Sequence, residues 1–357
     1  MAERKRVLSG MRPTGQLHLG HLVGALENWK RLQHEYECFF MVADWHALMS
    51  DYEHPERLRE WTYENVLDWL AYGIDPKRSV VFRQSDVPEH AELALILSVL
   101  TPLGWVERVP TYKEQLREVK GRDLATYGFL GYPILQAADI LLYKAHLVPV
   151  GEDQLPHVEL TRELVRRFHH LYHCEVFPEP QDLLTRAPKL LGTDGRKMSK
   201  SYDNAINLAE TPETIHRVAQ SMFTDPLRIK MSDPGHPETC NVCNYWKVFG
   251  SAAQSAKAWE ECRSAKRGCV QNKRELADLL VQRTEPFRTI RATGSGMSAQ
   301  RVEQILQEGA VRARQVAQQT MAEVKRAIGL ASATTSGPAR PGKRSRRAGV
   351  DQWPSDE

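Results

Sequence analysis

The chain has 357 residues, 41% of them hydrophobic, enough to bury a sizeable core, and its length favours about two domains. Forty-eight basic and 45 acidic residues leave a net charge of +3, too balanced for a protein that coats nucleic acid or membrane, so any polyanion must be met by a local patch. The N-terminal MAERKRVLSG is followed by no apolar run of signal-peptide length, and no stretch is long and apolar enough to span a bilayer, so a cytoplasmic location without membrane contact is expected.

Through the first half, short apolar runs alternate with long amphipathic stretches, the pattern of βαβ units feeding a parallel sheet. In chain order the expected strands are RVLSG, CFFMVADW, SVVFRQS and HLVPVGED. Ligands of open parallel sheets bind beyond the strands' carboxyl ends, which converges Gly10, Asp44, His46, Gln84, Gly151 and Asp153 on one cleft. An insert over about 88–146, containing HAELALILSVL, ERVPTYKEQLREVKGRD and YPILQAADILLY, is longer than a crossover helix needs. It is expected to supply part of the pocket and a surface for another subunit. From about 205 helical patterning takes over, giving a second unit to about 298. Val302, Ile305, Leu306, Ala310, Ala313, Val316, Ala317, Met321, Val324 and Ile328 then keep a helical period, so a terminal helix over 299–330 should bury that stripe against the first unit. Residues 331–357, poor in large apolar side chains and rich in Pro, Ser, Gly and Arg, read as a disordered tail. The expected fold class is α/β, a doubly wound Rossmann-like parallel sheet over 1–205 followed by an α-helical C-terminal domain.

Two motifs carry most of the chemistry. HLGH (His18, Leu19, Gly20, His21) follows the first strand and opens a helix, where unpaired backbone N–H groups attract phosphate, Gly20 permits close approach and two imidazoles can donate to phosphoryl oxygens. KMSKS (Lys197 to Ser201) sits in a loop whose preceding GTDGR allows movement. Its ammonium and hydroxyl groups suit the charge of a departing pyrophosphate, although a solvated surface loop would carry the same letters. Within YPILQAADILL, Tyr132, Gln136 and Asp139 share one helical face at i, i+4 and i+7. Asp139 is a carboxylate in an apolar run, costly unless paired or employed; a helix cap or buried ion pair is the alternative.

HLGH and KMSKS resemble the two signature motifs of class I aminoacyl-tRNA synthetases. With LSGMRPTGQLHLGHLVGALENW, VADWHAL, YPILQAADILLY, VPVGEDQ and RKMSKSYDN, residues 6 to about 330 resemble the bacterial tryptophanyl-tRNA synthetases. The resemblance implies activation of L-tryptophan by ATP with Mg2+, transfer to tRNA(Trp), and a homodimer with an anticodon-binding helical domain over 206–298. It implies that Lys197 and Lys200, with Met198 and Ser199 of the loop over 193–203, grip the triphosphate. Asp139 would take the indole N–H, Tyr132 and Gln154 the α-amino group, and Gly151 and Asp153 the ATP ribose. Lys113 would reach ATP phosphates, and Arg12 the substrate carboxylate or phosphate. Gln136 stands where some members have methionine, and His46 ends the second strand, facing the cleft or filling it.

Four cysteines within thirty residues, Cys240, Cys243, Cys262 and Cys269, suggest metal before disulfide in a cytoplasmic protein, whereas Cys38 reads as an ordinary buried thiol. A subset of the family carries a four-cysteine iron–sulfur site here. Its usual last ligand is Asn272 in this chain while Cys243 is additional, so either Cys243 replaces the missing ligand or the cluster has been lost or exchanged for zinc; the expectation is an iron–sulfur cluster, with zinc behind it. Lys266, Arg267, Lys273 and Arg274 flank two of these cysteines and could meet the anticodon stem or form a solvated face. Three other functions remain open: a tyrosyl-tRNA synthetase, a small-molecule nucleotidyltransferase, and a non-catalytic regulatory paralogue. GPARPGKR has P-loop spacing, but no strand precedes it and Arg344 replaces the Ser/Thr. HHLYHC (169–174) reads as helix-terminal capping.

Overall fold

A computed structural model describes residues 4–110, 125–184, 190–196, 198, 204–292 and 296–331. Five parallel strands, β1 (Arg6–Met11), β2 (Glu37–Val42), β3 (Val80–Arg83), β4 (Leu147–Val150) and β5 (Gln181–Leu184), lie in the order β3-β2-β1-β4-β5. Strand β2 has five consecutive buried residues, as a strand covered on both faces must. Phe39 and Phe40 point to opposite faces and enter different core clusters. The fifth strand was not among the four expected. Its sequence QDLL lies at the sheet edge with both ends exposed, so it shows neither a buried run nor an alternation.

Strand order reverses at β1, which pairs with β2 on one side and β4 on the other. The crevice opens there, and the helices around it supply its walls. Strand β1 leads into α1 (Leu19–His21), which continues through a π-helical turn, Leu22–Leu26, into α2 (Glu27–Glu35). Helix α3 (Asp44–Ser50) follows β2, and α4 (Leu58–Tyr72) crosses to β3. The insert contributes α5 (Glu89–Leu100), α6 (Leu103–Glu107) and α7 (Tyr127–Leu142), the last capped by Thr126 and carrying Pro133. Helix α8 (Leu155–Tyr172) follows β4. Near its end His169 Nε2 accepts from the backbone N–H groups of Val176 and Phe177, which pins the chain leaving the helix.

Beyond β5 the described elements are helical: α9 (Pro212–Ser221), α10 (Asn241–Phe249), α11 (Ala252–Arg263), α12 (Cys269–Thr289) and α13 (Ala299–Ala327). Ile215, Tyr245, Trp246 and Leu276 belong to the same buried cluster as Trp29, Phe40 and Trp69 of the sheet unit, so the apolar core runs continuously into the helices. At this junction Arg291 donates to Glu64 at 2.6 Å and Asp68 at 2.8 Å on α4. Burial pushes the Asp68 carboxyl up to about 7 despite that guanidinium.

Helix α13 buries Val302, Ile305, Leu306, Ala310, Ala313, Ala317, Met321 and Val324 and lies along edge strand β3. Covering an edge removes a surface open to foreign strands. Gly309 makes this approach possible, because a Cβ there would overlap the backbone carbonyl of Val81. Ion pairs Arg83–Glu303, Arg314–Glu89 and Lys144–Glu323 flank the contact. Among the described residues no helix is long and apolar enough to cross a membrane.

Candidate active site

The cleft at the strand-order reversal measures about 430 Å³. Its floor comes from the ends of β1 and β4, and its walls from α1, α3, α7 and the start of α8. Arg12, His21, His46, Tyr132, Gln136, Asp139, Gly151 and Gln154 all line it, so residues spread over 143 positions of sequence meet in one cavity. His18, Gly20, Asp153 and Met198 stand beside it rather than in its lining.

The HLGH turn fixes both imidazoles through their own backbone. His18 Nδ1 accepts from the N–H of Gly20 at 3.1 Å, and His21 Nδ1 accepts from the N–H of His18 at 3.2 Å. A neutral ring that accepts at Nδ1 carries its proton on Nε2, so both rings present an N–H donor on the side away from the turn. Their centroids are 3.9 Å apart. A Cβ on Gly20 would stand 2.9 Å from the His18 ring, which is why the motif has glycine between its histidines.

The downstream motif returns to the same place. Leu19 N–H donates to the Ile206 carbonyl at 3.0 Å, Leu208 N–H donates to Leu17 at 2.8 Å, and His18 forms an antiparallel bridge with Asn207. The Met198 sulfur lies 3.3 Å from the position of a Gly20 Cβ. Thus the segment after KMSKS is tied to HLGH. On either side of the motif, Thr193 N–H donates to the Asn204 carbonyl, and Gly195 takes a positive φ of 82°. Backbone N–H donation from Arg196 holds the Asp194 carboxyl down at about 2. Asn241 and Tyr245 of α10 donate to the carbonyls of Gly192 and Leu191, joining the loop base to the helical unit. Lys113, Lys197, Ser199 and Lys200 lie outside the described residues.

Two polar networks shape the cleft. In the first, Asp139 is buried and its carboxylate accepts from His46 Nε2 at 2.7 Å, His90 Nδ1 at 2.7 Å and Gln84 Nε2 at 2.8 Å. Burial raises its affinity for a proton, but the two histidines outweigh that and leave it lowered, so it is an anion. The second runs along the cleft rim. Gln154 Nε2 donates to Asp153 at 2.9 Å, so its oxygen accepts from His157 Nδ1 at 2.8 Å. His157 Nε2 is then bare and accepts the Tyr132 hydroxyl proton at 3.0 Å. Burial pushes His157 down to about 4, which keeps it neutral. Tyr132 is thereby oriented with its proton turned toward His157 and its oxygen able to accept from a cationic donor. A Cβ on Gly151 would stand 2.7 Å from the Asp153 carboxylate, so a larger residue there would turn that side chain away.

His157 and His90 were missed in the sequence. The available signals were a histidine three residues after Gln154 and another in an otherwise apolar helix face. Asp139 proves to be hydrogen-bonded rather than a helix cap, and His46 faces the cleft. Arg12 is an exposed residue that lines the cleft.

The cysteines depart from expectation. Cys240 is the N-cap residue of α10 and makes no side-chain capping bond, and Cys240, Cys243 and Cys262 are all buried. Its two thiol neighbours push Cys243 up, whereas Cys240 and Cys262 are pulled down by their bonds to it. Asn272, at the position of the family's last ligand, accepts from Trp246 Nε1 at 2.8 Å and points its amide at the Cys243 sulfur, 3.7 Å away. Cys269 is half-buried at the first residue of α12. Among the described residues no group of three or more His, Cys, Asp or Glu side chains is arranged to hold a metal ion. The expected four-cysteine iron–sulfur or zinc site is therefore not supported by the arrangement of these side chains. Cys38 is fully buried, as expected, and its thiol is pushed up to about 12. Arg267, expected as a possible contact for the anticodon stem, is buried between Glu261 and Glu275.

Comparison with known proteins agrees with this geometry. The profile of the family "tRNA synthetases class I (W and Y)" matches residues 1–285. Tryptophan–tRNA ligase of Thermotoga maritima is 52% identical over 331 residues, covering 91% of this chain and 99% of the relative. That of Ralstonia nicotianae is 43% identical over 395 aligned positions, covering 91% and 98%. Among solved structures, tryptophanyl-tRNA synthetase of Campylobacter jejuni complexed with ADP and tryptophan superposes with a TM-score of 0.80 at 33% identity, covering 91% of this chain and all of that one. With Met198 and the segment after KMSKS packed on the HLGH turn beside one cleft, and with this extent of similarity, the chain belongs to the class I tryptophanyl-tRNA synthetases.

Proposed function

We propose that the cleft activates L-tryptophan with ATP and passes the aminoacyl group to tRNA(Trp), with the side chains dividing the work as follows. The indole N–H donates to the buried Asp139 carboxylate, and the α-ammonium group donates to Tyr132 and Gln154, with His46 and Gln136 completing that end. ATP enters as its Mg2+ complex. Its phosphates meet the Nε2–H donors of His18 and His21 and the space that Gly20 leaves, while Gly151 and Asp153 take the ribose and Arg12 reaches the carboxylate or a phosphate.

A tryptophan carboxylate oxygen attacks the α-phosphorus, the bond from that phosphorus to the bridging oxygen breaks, and pyrophosphate leaves with the electron pair. A hydroxyl at the tRNA 3′ end then attacks the activated carbonyl, and AMP leaves. Charge builds on the pyrophosphate in the first step, and Lys197, Lys200, Ser199 and Lys113 supply the compensating donors as the loop closes. Met198, already against Gly20, is the seat on which that loop turns. The single observation that carries the reading is the packing of Met198 against Gly20 and the backbone hydrogen bonds that tie Ile206 and Leu208, just after KMSKS, to Leu19 and Leu17 around HLGH, some 180 residues away in sequence.

The helical unit over 206–298 serves as the anticodon-binding domain, with Lys266 and Arg274 exposed for phosphate contact. The exposed apolar side chains of Leu95, Val99, Leu103 and Tyr127 on the insert support a homodimer through that face. All of this suits a cytoplasmic enzyme. The test of the roles is single-turnover adenylation by Lys200→Ala. Loss of one donor used as charge develops should cost about 2–4 kcal/mol of transition-state stabilisation with tryptophan affinity retained. An unchanged adenylation rate would remove the loop from the chemistry.

A further inference from the structure

Asp139 is gripped by more of the protein than a pocket acceptor needs. Oδ1 receives both Gln84 and His90, and Oδ2 receives His46. An ionised carboxylate offers about four lone-pair sites, so these bonds fill Oδ1 and leave one site open on Oδ2. Oδ2 is on the side shared with His46, which lines the cleft with Asp139, whereas Gln84 and His90 are fully buried behind it.

His90 is itself held. Its Nε2 lies 2.7 Å from the Tyr143 hydroxyl, and both rings pack with Phe82. Burial and the Asp139 carboxylate hold the Tyr143 phenol well above its ordinary value, so Tyr143 keeps its proton and donates it to His90 Nε2. The remaining ring proton of a neutral His90 is then on Nδ1, aimed at Asp139 Oδ1. Side-chain distance from the cleft makes His90 a positioning residue, since it does not touch the space the substrate takes.

We infer that His90, oriented by Tyr143, selects the amino acid indirectly: with Gln84 it saturates Asp139 Oδ1, so that the carboxylate meets the substrate with one acceptor site on Oδ2, which suits a donor-only indole N–H. The inference rests on the assignment of Asp139 as the indole acceptor. Removing His90 frees a lone pair, lets the carboxylate turn and makes its protonation easier. The titratable groups facing Asp139 are His46 from α3 and His90 from α5, with Tyr143 after its own helix. Glu89 acts on Tyr143, and His157 acts on His46.

The experiment measures binding of L-tryptophan and of its benzothiophene analogue, which lacks the N–H, to the full chain by calorimetry between pH 5 and pH 9. Unaltered protein should prefer tryptophan by about tenfold or more, as for a buried donor that loses its acceptor. His90→Leu should shrink that preference at least about threefold, leave ATP affinity unchanged and move the acid limb of tryptophan binding to higher pH. His90→Asn, which keeps an N–H near the place of Nδ1, should restore both. Tyr143→Phe, which removes only the hydroxyl, should shift them in the same direction by less, and serves if His90→Leu does not fold. His90→Leu or Tyr143→Phe with the original preference and acid limb would overturn the inference, as would His90→Asn that behaves like His90→Leu. No preference in the unaltered protein would instead overturn the assignment of Asp139, and the inference with it.

Discussion

His157 is neutral in the folded protein because of where it lies, and that has a cost in acid. Its proton affinity falls from the ordinary 6.5 to about 4, chiefly through burial, so between those values the unfolded chain takes up a proton that the folded one refuses. Stability tied to this residue is fully present above pH 6.5 and is lost as pH falls through about 4. The size is at most roughly 3 kcal/mol. Urea unfolding of the unaltered protein and of His157→Gln at intervals from pH 4 to pH 7 should show the gap between them changing across that window. A constant gap would mean that the ring is not held neutral. Much of this site could be read in the sequence, because Tyr132, Gln136 and Asp139 are spaced on one helix and Gln154 closely follows a strand. His90 and His157 could not. Their roles are set by partners 49 and 25 residues away, and no local pattern separates a relay histidine from a core one.

Among elements, the terminal helix was the most legible, since its apolar period is long and uninterrupted, while β5 was illegible because an edge strand with polar ends has no contrast to detect. What the sequence withheld was the closeness of α13 to β3. Gly309 sits amid the apolar stripe and reads as a weak helix position, yet the structure gives it the Val81 carbonyl as neighbour. Gly309→Ala should gain some helix propensity and still destabilise the protein by about 1–3 kcal/mol, because overpacking against backbone forces the helix away. Guanidinium unfolding reads the difference, and a stabilised variant would show that the helix docks otherwise. The junction between α4 and α12 makes a second test. Asp68 is raised from 3.8 to about 7, so it favours folding fully below pH 3.8 and loses that contribution as pH rises through about 7. Asp68→Asn should therefore be at least as stable as the unaltered protein at pH 8, with the difference vanishing in acid. Thermal melts in which the substitution is costly at pH 8 would show that the ion pair with Arg291 outweighs burial.

Over the whole molecule, the sheet order, the crevice at its reversal and the return of the chain after KMSKS to the HLGH turn combine into one machine for a single amino acid. The four parallel strands and two signature motifs were visible as local runs, whereas the state of the cysteines was not. Spacing counts possible ligands, but it does not show that Asn272 turns its amide to the Cys243 sulfur and its oxygen to Trp246. The central claim is selection of tryptophan for activation by ATP, and the most direct measurement is amino-acid-dependent exchange of labelled pyrophosphate into ATP. The account predicts exchange with L-tryptophan and none above background with L-tyrosine or without amino acid. Equal exchange with tyrosine, or exchange that needs no amino acid, would contradict it.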